Sequence, residues 1–195
     1  MLKNGILLQN IKDSISAKTQ ALQSEVFFNQ FERAAEALVK CYNQGNKLIV
    51  AGNGGSAADA QHLVAEFVSK LARDRDPLPA EALTVDTSII TAIGNDYGYD
   101  KVFSRQIHGK AHQGDIFLGI TTSGNSPNIV EALKACRKKG VTSILLSAKS
   151  GGEAIHYADY PILVPGERTS CIQEMHIVIE HTLCEIVENS IFGEI

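Results

Sequence analysis

LIVAGNGGSAADAQHLVAEF, residues Leu48–Phe67, is the stretch that decides how this chain reads. Leu48-Ile49-Val50-Ala51 is an apolar, strand-like run, and it breaks at Gly52-Asn53-Gly54-Gly55-Ser56. The segment after it, rich in Ala, Gln, Leu and Glu, favours a helix. Strand, glycine turn and helix form an anion-binding arrangement. The first N–H groups of a helix lack internal partners, and glycine lets a ligand approach them closely. Asn53 and Ser56 add hydrogen bonds. The loop has neither the lysine of a nucleoside-triphosphate loop nor the spacing of GxGxxG. Read alone, it is either a ligand cradle or a tight turn.

Outward from there, the same form returns. A strand-like run Ile116–Ile120 leads into Thr121-Thr122-Ser123-Gly124-Asn125-Ser126, then a helix opened by Pro127. Proline suits the first turn of a helix, where its missing N–H costs nothing. Thr121, Thr122, Ser123 and Ser126 place four hydroxyls within six residues. With the helix N-terminus they can hold a phosphate without any lysine. One helix cap needs fewer hydroxyls than that. Two such loops imply one sheet presenting two lips of one pocket.

The rest of the chain keeps the alternation. Strands are expected at 47–51, 82–85, 116–120, 141–146 and 160–164. Helices are expected at 56–73, 87–93, 100–111, 127–139 and 169–189, with a short one after Gly151-Gly152. This predicts an α/β fold, a three-layer sandwich with a mostly parallel five-stranded sheet covered on both faces. A break at Gly94–Tyr99 carries Asn95 and Asp96, which could hold sugar hydroxyls if that loop reaches the pocket. Residues 6–40 have helical periodicity and divide near Ser24. They precede the first strand, so they lie outside any βαβ unit and serve either an interface or simple core packing. No linker divides the chain, so residues 1–195 read as one domain, with 1–44 as an N-terminal helical extension.

Composition bounds the function. Of 195 residues, 44% are hydrophobic and 21% charged, an ordinary globular balance. The net charge is −4 and no basic run occurs, which argues against nucleic acid as a ligand. No apolar run approaches the roughly 18 residues of a membrane span, and Met1–Gln20 has no signal-peptide pattern, so a soluble cytoplasmic protein is expected. Cys41, Cys136, Cys171 and Cys184 form no CxxC pair and no metal-knuckle spacing. They read as buried spectators, although Cys171 stands at the start of a helix.

His62 and Glu66 stand i, i+4 on the helix leaving the first loop, offset by roughly 40° on one face. A histidine and a carboxylate there can share a metal or act as an acid/base pair. On the last helix stand Gln173, Glu174, His176, Glu180 and His181. Gln173 and His181 are roughly 80° and 12 Å apart, so they either meet one centre by reaching toward each other or serve through contacts with different elements or subunits. Glu174 and Glu180 read as solvated or interface charges, and His108, His112 and His156 as surface histidines.

NGGSAADAQH, LTVDTSIITAIGNDYGY, TTSGNSPNIVEAL and the IQEMH segment of the last helix with its following His181 resemble the sugar isomerase (SIS) family, and within it the phosphoheptose isomerases. The likeness covers about residues 30–190. It implies the SIS fold and the conversion of sedoheptulose 7-phosphate to glycero-manno-heptose 7-phosphate, toward ADP-heptose for lipopolysaccharide. It also implies a zinc ion and a homotetramer with active sites between subunits, the N-terminal helices serving the assembly. By matching motif, Asn53, Gly54, Gly55, Glu66, Asn95, Asp96, Thr121, Thr122, Ser123, Ser126 and Gln173 would bind substrate. His62, Glu66, Gln173 and His181 would ligate zinc, and Glu66 and His181 would be the acid/base pair. Cys171 departs from the pattern, since many relatives carry Arg there. A rival likeness is to non-catalytic relatives that bind the replication initiator. Those lack the equivalents of Glu66 and His181, and this chain has both.

Overall fold

All five expected strands lie in one sheet in the computed structural model, which describes residues 4–193. They are β1 (Leu48–Ala51), β2 (Ala80–Ala82), β3 (Ile116–Ile120), β4 (Thr142–Ala148) and β5 (Tyr160–Val164). Their order is β2-β1-β3-β4-β5, and every neighbouring pair is parallel. β1 and β3 are buried along their whole lengths, which is why they read as unbroken apolar runs. Within them alternate residues point to opposite faces. Leu48, Val50 and Leu118 join one core, while Ile49, Ala51 and Phe117 join the other.

The first core is covered by α2 (Glu25–Asn43), α3 (Gly55–Val68) and α7 (Thr169–Phe192), with α1 (Asn4–Leu22) laid against α7. The second is covered by α4 (Thr87–Tyr97), α5 (Ser104–Lys110) and α6 (Pro127–Lys139). The three-layer expectation therefore holds. After β1 the chain steps outward to β2, then returns to lay β3 on the other side of β1. At such a reversal the two following loops diverge to opposite faces and open a crevice at the strand ends. The loops that do so here are the two glycine loops.

Several boundaries differ from the sequence reading. α3 stops at Val68 because the segment after it folds back under its last turn, where Arg75 donates to the Phe67 carbonyl at 2.8 Å. β2 occupies Ala80–Ala82, the residues that pair with Leu48–Val50 of β1, and Asp86 beyond it caps α4 through the Ile89 N–H. α4 does not break at Gly94. It runs to Tyr97 and ends at Gly98, whose φ is 91°. One internal glycine costs about 1 kcal/mol relative to alanine, too little to stop a helix that buries Ile93. Asn95 and Asp96 are thus exposed helical residues, not turn residues. Residues Tyr99–Lys101 form a single 3₁₀ turn ahead of α5.

Ser24 divides the N-terminal helices as expected, its hydroxyl accepting from Phe27 N–H at 3.2 Å. α2 buries Phe27, Ala34, Ala35 and Leu38. α1 turns only a narrow edge inward, with Ala17 and Ala21 buried. Ile6, Leu7, Ile11 and Ile15 stay exposed, between 48% and 65%. That apolar row does not pack this chain's core.

Gly124 is the tightest point of the second loop. Its φ is 69°, and a Cβ there would run into the Gly151 carbonyl, while its own carbonyl accepts from Ala154 N–H at 2.9 Å. Gly124→Ala is expected to cost about 2 kcal/mol or more in urea unfolding, since a strained left-handed alanine and a backbone clash combine.

Candidate active site

The two loops are tied at their bases by a reciprocal amide pair. Asn53 Nδ2 donates to Asn128 Oδ1 at 2.9 Å, and Asn128 Nδ2 donates back to Asn53 Oδ1 at 2.8 Å. Asn128, the second residue of α6, is 2% exposed, so both of its amide groups are satisfied by this one neighbour. Tyr99 adds a weaker hydroxyl contact to Asn53 Oδ1 at 3.4 Å. Gly54 precedes α3 with φ 56°, and Gly55 is its first residue. The side-chain amide of Gln173 fills the space that a Cβ on Gly55 would take.

The second loop uses its hydroxyls unequally. Thr121 is buried, and its Oγ1 lies 2.9 Å from Ser126 Oγ, an internal strut. Ser147 fixes the same point by donating to the Thr121 carbonyl at 2.7 Å. Ser126 precedes α6 but makes no side-chain cap bond to it, which leaves the start of that helix open to a ligand. Ser123 is exposed and Thr122 half-buried at the mouth. Asn125 holds the outer rim by accepting from Glu153 N–H at 2.9 Å.

α3 and α7 then bring the titratable groups together. The two helices run parallel: Gln173 meets Gly55, and His181 meets His62 one stage further along both. The Nε2 atoms of His62 and His181 are 2.8 Å apart, and His62 Nε2 is 3.6 Å from Glu66 Oε1. All three donor atoms lie within 4.8 Å of one another. The i, i+4 expectation for His62 and Glu66 is met, and His181 reaches them from the same chain. Gln173 lies at the head of α3, two turns of α7 before His181. Asn95 and Asp96 bond to each other at 2.8 Å on α4.

The family model for the SIS domain matches residues 12–148. A phosphoheptose isomerase from Aneurinibacillus thermoaerophilus is 49% identical over 189 residues, covering 97% of this chain and 96% of that protein. The solved phosphoheptose isomerase of Neisseria gonorrhoeae superposes with a TM-score of 0.88 at 40% identity, over 95% of this chain and 98% of that one. The chain belongs to the SIS family, among the phosphoheptose isomerases. The solved phosphoheptose isomerase of Francisella tularensis superposes as closely, with a TM-score of 0.91 at 35% identity over 97% of this chain and all of its own.

As a SIS protein the chain carries polar groups that sequence reasoning misplaced or passed over. Glu180 is not a solvated charge. It is 0% exposed, and both carboxylate oxygens lack a hydrogen-bond partner among the described residues. Burial, and then the nearby Asp59 carboxylate, push its pKa up to about 8, so it holds a proton at neutral pH. Asp59 is also raised, chiefly by burial. Glu174, by contrast, is a surface charge: it bonds the Ser14 hydroxyl and pairs with Lys18 at 3.4 Å. All four cysteines are buried, and burial raises Cys41 to about 11 and Cys184 to about 12, as expected of spectators. Asn128 and Asp59 were recoverable signals, since each is polar on an otherwise apolar helix face.

His176 is fully buried, with Nε2 3.4 Å from the Ser147 carbonyl, and burial lowers its pKa to about 4. The folded state thus resists protonation that the unfolded chain accepts near pH 6.5. Stability is complete above that pH and is lost as pH falls from 6.5 toward 4. His176→Gln is expected to remove about 3 kcal/mol of this pH dependence, read as a flatter urea midpoint between pH 6.5 and 4.

Proposed function

We propose that this SIS protein is an aldose–ketose isomerase that converts sedoheptulose 7-phosphate to D-glycero-D-manno-heptose 7-phosphate, supplying ADP-heptose for lipopolysaccharide. The observation that carries the reading is the His62–Glu66–His181 cluster beside a hydroxyl-rich loop at a helix N-terminus. The reaction needs a phosphate grip at one end of a sugar and a base with a proton donor at the other. It moves one proton between adjacent carbons and one between their oxygens.

In this reading Thr122, Ser123, Ser126 and the first turn of α6 hold the phosphate, with Thr121 as the strut beneath them. Asn53, Gly54, Gly55 and Gln173 line the sugar, and Asn95 and Asp96 would have to reach it from the exposed face of α4. Glu66 takes a proton from C1 of the ketose and returns it to C2. His181 donates to the C2 oxygen as the enediol forms and accepts the proton leaving the C1 hydroxyl. A non-catalytic relative has no use for this pair, and here both members are present and adjacent.

The donor set also fits zinc. Two imidazole nitrogens 2.8 Å apart, with a carboxylate oxygen 3.6 Å from one of them, bracket the roughly 3.3 Å between ligands on a tetrahedral zinc. His62, His181 and Glu66 would hold the ion, with Gln173 as the fourth donor. When bound, zinc supplies Lewis-acid stabilisation of the enediolate oxygens. Contact with the ion would lower the basicity of the Glu66 carboxylate.

The cluster is open: the His62 side chain is 44% exposed and that of Glu66 19%. An enediol needs shelter from water. The exposed row Ile6, Leu7, Ile11 and Ile15, with Val26 and Val178 at 68% and 48%, is the surface that further copies of the chain would cover in a homotetramer. Among the described residues no helix is long and apolar enough to cross a membrane.

Glu66→Gln is expected to lower kcat by about 10²–10⁴-fold with unchanged melting, followed as aldose formed from sedoheptulose 7-phosphate. Unchanged turnover would sink the base assignment. Chelation should remove activity and zinc restore it. In light scattering, Ile11→Asp with Ile15→Asp should reduce the oligomer to smaller species, and a mass equal to wild type would reject that face as the interface.

A further inference from the structure

Beneath the cluster lies a buried ion pair that the proposed chemistry does not use. Arg75 and Glu188 meet at 2.8 Å with both side chains 1% exposed. Arg75 sits in the segment that folds back under α3, and Glu188 is on α7, two turns beyond His181. The guanidinium is spent on the end of α3. Its Nη2 donates to the Glu66 carbonyl at 2.8 Å, and its Nη1 donates to the Phe67 carbonyl at 2.8 Å. These are among the last carbonyls of the helix, which have no partner within it. The Glu188 carboxylate accepts Nε of Arg75, and also the N–H groups of Leu71 at 3.1 Å and Ala72 at 3.5 Å.

One charged pair therefore grips the backbone of Glu66 and bolts the foot of α3 to α7. The helices are parallel and each rises about 1.5 Å per residue, so a slip of one residue would separate His62 from His181. Above the cluster the contact is Gln173 on Gly55, and below it the bolt is Arg75 on Glu188. Stability alone does not call for such a pair. Buried ion pairs are often replaced by apolar residues of equal volume without loss, because desolvation offsets their attraction. What an apolar pair cannot supply is the set of directed bonds to the Glu66 and Phe67 carbonyls.

We propose that Arg75 and Glu188 are positioning residues for the isomerisation: they set the register of α3 against α7, and so hold Glu66 and His62 in reach of His181. This rests on reading that cluster as the reacting centre. The test is the double variant Arg75→Met/Glu188→Leu, with Glu188→Gln as a milder second variant that keeps the side-chain shape. Melting temperature, kcat and KM for sedoheptulose 7-phosphate, and the imidazole ¹⁵N spectrum would be measured for each.

The expected result for the double variant is a lowered melting temperature, because the backbone groups of Glu66, Phe67, Leu71 and Ala72 lose their partners, with kcat, measured well below the unfolding transition, down by about tenfold or more. KM should stay within about threefold, because the phosphate loop is remote from the pair. The ring resonances of His62 and His181 should shift while those of exposed His112 and His156 stay in place. Glu188→Gln should change kcat and the same two resonances in the same direction by less. Folded variants with wild-type kcat and unmoved His62 and His181 resonances would overturn the proposal. Should the wild-type protein isomerise no sugar phosphate, the isomerase reading falls, and the histidine spectra still decide whether the pair sets the register.

Discussion

The parallel packing of α3 on α7 is the constraint on which the site depends. Gly55 lies against Gln173, His62 against His181 and Leu71 against Glu188, so the two helices advance together along their whole contact. The arrangement is not dictated by the sheet, because α3 follows β1 near one edge while α7 follows β5 at the other. α2 makes it possible. It packs over β5, where Gln30 accepts the Leu163 N–H at 3.1 Å, and so leaves α7 to lie beside α3. The N-terminal helices are therefore part of how the site is built, besides carrying an exposed apolar row.

The interface between α3 and α7 is also where the chain tolerates its least comfortable groups. Asp59, His176 and Glu180 each present a buried polar atom without a partner among the described residues. Their pKa shifts share one cause, burial, and one consequence: the histidine stays neutral and Glu180 keeps its proton. The packing behind the reacting cluster is thereby kept low in charge, while the charged Arg75–Glu188 pair is confined to the foot of the helices and fully hydrogen-bonded. At the loops the opposite economy rules. The Asn53–Asn128 exchange and the Thr121–Ser126 strut spend polar groups on rigidity, so that few side chains remain free at the mouth.

Much of this was legible in the residues. β3 and α6 fall where the apolar run and the proline start put them, and Ser24 divides the first helices as a serine cap should. His62 and Glu66 follow from the helical repeat alone. The misreadings have local causes. Gly94 resembled a stop, but the burial of Ile93 carries the helix through it. Glu180 resembled a surface charge because its type almost always is one. The end of α3 was hidden because Arg75 and Glu188 are 113 residues apart, and no periodicity connects them.

What the sequence determined by itself is the set of parts: two glycine loops after apolar strands, a histidine and a carboxylate one turn apart, and a late helix carrying Gln173 and His181. These follow from short-range rules of backbone freedom, capping and helical repeat, which act over a few residues. Only the tertiary structure decided which parts meet. The sheet order β2-β1-β3-β4-β5 set the two loops side by side, and the register of α3 on α7 brought His181 within 2.8 Å of His62. Such meetings depend on strand order and on helix packing across more than a hundred residues of chain, and no local pattern encodes those distances.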